Sequence, residues 1–147
     1  MGYDDAELLI RLKSAVATYA QLKKLFSALS AALQRLVNQE PDLGLVIEQS
    51  TDRSIRFRYL DRPAEMVLSM IAQQSSRGLV SLVAIKPDTE PEVRQEIARL
   101  FIDSLGNAKE QLNAKTSDLN IQSDPTTVCL RWLVRLLKSY EGDFPSG

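Results

Sequence analysis

The sequence of 147 residues contains no histidine and a single cysteine. The first absence excludes Ser-His-Asp and Cys-His catalysis, HExxH metal sites and any imidazole switch near neutral pH. The two together exclude a structural zinc site and an intrachain disulfide. Glycine is scarce, with six in all, and there is no Walker loop, GxGxxG or GxSxG, so no segment is built to cradle phosphate. A dominant charge is missing too. The 18 Lys+Arg nearly cancel the 19 Asp+Glu, for a net charge of −1, and no segment is polarised enough to serve as a nucleic-acid or membrane tail. No uncharged apolar run approaches the ~18–20 residues of a membrane span. The acidic start Met1–Asp5 does not resemble a secretory signal, Ala6 replaces the Ser/Thr of a myristoylation site, and Phe144–Gly147 is no prenylation box. These absences lead to the expectation of a cytoplasmic, soluble protein with no cofactor, no metal and no membrane contact.

What is present is an ordinary globular composition, 44% apolar and 25% charged, at a length that suits one domain spanning 1–147. Its clearest signal is residues 5–38. Asp4 can cap a helix there, and Glu7 completes a capping-box pattern. Leu8, Leu12, Tyr19, Leu22, Phe26, Leu29, Leu33 and Leu36 then recur in a 3-4 alternation, with Ala15 filling the remaining place. This is the spacing of a coiled-coil seam, widened here by Leu9, Val16, Leu25 and Val37. Glu40-Pro41 and Gly44 end the helix.

Over 43–87 the period changes to two. Ile55, Phe57 and Tyr59 alternate with Arg56 and Arg58, an apolar face backed by a wet one. Thr51–Ser54 and Ser75–Gly78 have the composition of turns, and Leu79–Ile85 that of a buried strand. Residues 64–74 suit either a helix, opened by Asp61-Arg62-Pro63, or a strand. The ten-residue spacing of turn signals favours the strand, and with it a four-stranded antiparallel β-meander.

Residues 89–141 read as two to three helices. Thr89-Glu90-Pro91-Glu92 opens the first, with Val93, Ile97, Leu100, Phe101 and Leu105 as its apolar face and Gly106 as its stop. A short turn through Leu112 and a polar loop over 115–123 follow. Asp124-Pro125 caps a last helix that buries Val128, Cys129, Trp132, Leu133, Leu136 and Tyr140, and 142–147 form a tail. The expected fold class is α+β: a long N-terminal helix, the meander, and C-terminal helices packed on one sheet face.

Few residues carry a chemical signal. Arg56 and Arg58, together with an Arg131, Arg135, Lys138 stripe on the last helix, form a candidate anion- or nucleic-acid-binding set. An outer sheet face and a favourable helix dipole account for the same residues without a ligand. Cys129 and Trp132 belong to an apolar face and read as core. Asp118, Asn120, Gln122 and Asp124 alternate as in a calcium loop, but the glycine and the closing glutamate are absent. Glu92, Glu96 and Arg99 have the spacing of a salt-linked helix face. No catalytic residue stands out. The expected function is therefore a non-catalytic protein–protein interaction or assembly module, adaptor- or chaperone-like. It would act as a homo-oligomer, a dimer joined through Leu8, Leu12, Tyr19, Leu22, Phe26, Leu29, Leu33 and Leu36. The alternative is an anion or nucleic-acid binder using the five cations.

Overall fold

In the computed structural model, residues 2–71, 74–86, 91–111 and 119–141 are described. The seam forms one helix, α1 (Tyr3–Gln39). It starts earlier than the Asp4 cap expected. Gly2 takes the extended cap conformation and its N–H donates to Asp5 Oδ2 at 3.4 Å, which leaves Asp4 and Glu7 inside the first turns. At the other end the Glu40 N–H donates to the Leu36 carbonyl, a 3-10 turn covers Pro41–Leu43, and Gly44 takes φ +72°. That left-handed position is where a helix exit favours glycine.

Four strands follow, as the alternation predicts: β1 (Leu45–Ser50), β2 (Ser54–Tyr59), β3 (Arg62–Ile71) and β4 (Gln74–Lys86). Thr51 Oγ1 accepts the N–H groups of Arg53 and Ser54 and so makes the first turn. The second expected turn is misplaced, because 75–78 lie within β4.

The larger correction concerns the segment after 90. Its expected helix is a fifth strand, β5 (Val93–Asp103), and β6 (Asn107–Lys109) and β7 (Leu119–Asn120) extend the meander to seven antiparallel strands in sequence order. Ala98, Leu100 and Ile102 point into the core, Ile97 packs half-buried against it at the register shift, and Phe101 lies half-buried on the other face. With apolar residues on both faces, and a register shift between Glu96 and Ala98, the period of two is hidden. Glu96 and Arg99 do form an ion pair, but along a strand. Gly106 does need its positive φ of +88°, in the β5–β6 turn. There Asp103 Oδ1 accepts the N–H groups of Leu105 and Asn107. The expected caps at 89–90, the turn through Leu112 and the tail after 141 lie outside the described residues, as does the polar loop up to Asp118. Its remainder is structural, since Asn120 Oδ1 accepts the Gln122 and Ser123 N–H groups.

Among the described residues one C-terminal helix, α2 (Pro125–Glu141), replaces the expected two or three, and it buries the six residues that its spacing indicated. Helices α1 and α2 pack on the sheet face that carries Ile55, Phe57, Met66, Leu82 and Leu100. The core rows run straight across the strands: Phe57–Ala64–Ala84, Ile55–Met66–Leu82–Ala98, and Leu68–Val80–Leu100. Among the described residues, no helix is long and apolar enough to cross a membrane.

Candidate functional site

Helix α1 is longer than the sheet it covers. From Leu22 to Leu36 its stripe is spent on the chain's own core. Leu22, Phe26, Leu29 and Leu33 are fully buried, and Leu25, Ala32 and Leu36 complete the contact. The last contacts lie at one level. Leu22 packs against Gly78 of β4, and Gln21 Nε2 donates to the Ser104 carbonyl at 3.3 Å. N-terminal to that point the helix runs on for about five turns, roughly 27 Å at 1.5 Å per residue. Every described side chain from Asp4 to Ser14 is exposed.

The eight expected interface positions therefore divide. Leu22, Phe26, Leu29, Leu33 and Leu36 belong to the core, because the sheet supplies the apolar partner that a 3-4 stripe demands. Tyr19 is half-buried at the boundary, with the Lys23 ammonium 5.2 Å from its ring centre. Leu8 and Leu12 stand free, 53% and 65% exposed, and the flanking Leu9 and Val16 join them at 39% and 71%. These four occupy successive turns on one side of α1, while Ile10 points away. Isolated exposed leucines are common on any surface, but a contiguous apolar stripe marks a contact site.

At the foot of the stripe lies a shallow cleft between α1 and the sheet, lined by Tyr19, Arg53, Ser54, Val67, Ser69 and Met70. Lys23 pairs with Asp52 at 3.3 Å on its rim. The cleft was not legible in the sequence, since it exists only because β2 stops short of the end of β3.

The five candidate anion ligands are not brought together. Arg56 and Arg58 lie on the sheet face opposite the helices, where they pair with Glu92 at 3.1 Å and Glu48 at 3.4 Å. Arg131, Arg135 and Lys138 lie on α2, on the other side of the sheet, and Arg135 pairs with Glu110 at 2.6 Å. Opposite sides and acidic partners leave no common surface for a phosphate backbone.

Cys129 faces α1, with its Sγ 3.7 Å from the Leu29 carbonyl. Burial pushes its thiol up to about 12, with the Arg35 guanidinium pulling in the opposite direction. A thiol held protonated is a poor nucleophile. Among the described residues, no three acidic or thiol groups converge as metal ligands would. Comparison with protein-family models, curated proteins and solved structures finds no match for this chain.

Proposed function

We propose that this chain is a non-catalytic interaction module, one α+β domain that self-associates through the free end of α1. The observation that carries this reading is the stripe of Leu8, Leu9, Leu12 and Val16, between 39% and 71% exposed with no described part of the chain covering it. Its burial against a second copy would remove apolar surface from water on both chains. Each fully buried side chain of this kind contributes about 1.5–3 kcal/mol. The boundary near Leu22 supports the same view, because the fully buried residues of α1 end there and, of the apolar side chains N-terminal to it, Tyr19 alone packs against the described core.

The test is the paired substitution Leu12→Glu and Val16→Glu. Both positions are exposed and outside the core, so the variant should unfold at the urea midpoint that the wild type shows when diluted to monomer. Light scattering over a concentration series should show wild-type dimers and variant monomers. Wild-type protein that remains monomeric at high concentration, or a variant that dimerises as the wild type does, would defeat the proposal. Leu22 and Leu29 are unsuitable targets, since charge at either would disrupt the core.

A further inference from the structure

The free end of α1 carries a pattern that specifies how two copies would meet. One side of it carries residues 5, 9, 12, 16, 19 and 23, at intervals of 4, 3, 4, 3 and 4, exposed up to Val16 and half-buried at Tyr19 and Lys23. These intervals read the same from either end. A two-fold axis matches each position i with a position j and each j with i, so a face of this kind can pair with itself in antiparallel fashion. The axis then passes beside Ser14. It sets Leu12 against Val16 of the second copy, Leu9 against its Tyr19, and Asp5 against its Lys23.

The chemistry agrees with the geometry at each step. The inner contacts are apolar with apolar, between the exposed Leu9, Leu12 and Val16 and the half-buried Tyr19. The outer contact is acid with base. Lys23, already paired with Asp52, and Arg53 flank the cleft at the foot of the stripe, and an incoming Asp5 would meet both cations beside that one carboxylate. The parallel alternative matches every residue with itself. It places Asp5 on Asp5 and Lys23 on Lys23, so like charges oppose each other at both ends and destabilise the pair.

We infer that two copies pair antiparallel along residues 5–23 of α1, with Leu12 of each against Val16 of the other and Asp5 seated at the Lys23/Arg53 rim. This inference rests on the proposed self-association and adds its orientation and register. Disulfide trapping tests it, because a disulfide forms only where Cα atoms come within ~7 Å. Two full-length variants are prepared, Leu12→Cys and Val16→Cys, and oxidised separately and as an equimolar mixture. Cys129 does not interfere, being buried and protonated.

The mixture should yield a covalent dimer, and either variant alone about tenfold less, because like positions lie four residues out of register. Efficient crosslinking of both single variants would show parallel pairing and overturn the inference. Crosslinking of Leu12→Cys alone would overturn the register. In both cases self-association would stand. Absence of crosslinking in all three samples would overturn the inference as well. Light scattering on the reduced samples then separates a dimer of other geometry from a monomer, and a monomer would defeat the proposed function too.

Discussion

The contact between Leu22 and Gly78 is the last one before α1 leaves the sheet, and a single methyl group probes it. A Cβ built at Gly78 would lie 3.0 Å from Leu22 Cδ1 and 3.3 Å from both Leu22 Cδ2 and Ile102 Cγ1. Carbon atoms prefer roughly 3.5–4.0 Å. Leu22 and Ile102 are both fully buried, so neither can swing into solvent to relieve the clash. Overpacking of this kind costs about 1–3 kcal/mol. Gly78 has no positive φ to protect, so alanine also gains about 0.4–1 kcal/mol by restricting the unfolded chain. The clash wins, and Gly78→Ala should destabilise the fold by about 1–2 kcal/mol, read as a lower urea midpoint at constant slope. Leu22→Ala alone should cost about 2–5 kcal/mol through the cavity it leaves. In the double variant the new methyl enters that cavity, so the two costs should fall short of additivity by about 1–2 kcal/mol. A Gly78→Ala protein as stable as wild type, or a double variant that is strictly additive, would refute the packing described. The same substitution pries α1 from the sheet at the base of its free end. It should therefore weaken self-association as well, although no interface residue changes.

Two further outcomes follow from local geometry. Burial raises the Cys129 thiol from 9.0 to about 12, so the folded protein keeps a proton that the unfolded chain releases above about pH 9. Stability should be unaffected by this group below that pH and should fall as pH rises from there toward 12. At pH 8, labelling by a thiol reagent should proceed at the unfolding rate, and rapid stoichiometric labelling of folded protein would contradict the placement. In the β2–β3 turn, Leu60 and Asp61 have φ of +53° and +64°, a backbone that disfavours leucine. Leu60→Asn should raise stability by about 1 kcal/mol in urea titration, since asparagine tolerates this region, and a lower midpoint would count against the turn geometry.

Parts of the fold that depend on one face were legible in the sequence, and parts that depend on two were not. β2 alternates cleanly because Ile55, Phe57 and Tyr59 meet the helices while Arg56 and Arg58 meet solvent. α2 was legible for the same reason, down to its six buried residues. β5 failed the same test. Leu100 and Ile102 face the core, but Phe101 packs on the outer face, the register shift brings Ile97 against the core out of turn, and Val93, Ile97, Leu100 and Phe101 also satisfy a helical spacing. The early proline and the acids of Glu90-Pro91-Glu92 reinforce a helix start. Gly106 could not settle the matter, because a helix end and a strand turn require the same positive φ. At the candidate site, the stripe on α1 was visible as one continuous seam. Its division at Leu22 was not, because a sheet and a second helix both accept a 3-4 stripe.

The division has a geometric consequence for the proposed assembly. A seventh-residue repeat on a helix of 3.6 residues per turn drifts by about 20° per heptad. The centre of the docked stripe, near Leu29, and that of the free stripe, near Leu12, are 17 residues apart in the sequence. Between them the apolar face rotates by roughly 50° around α1. The free stripe therefore does not face the direction in which the sheet lies. The rotated stripe runs on into Tyr19 and Lys23, beside the cleft that the short β2 leaves open. The drift that a coiled coil cancels by supercoiling here lets one helix serve two partners in succession, its own sheet and then a second copy.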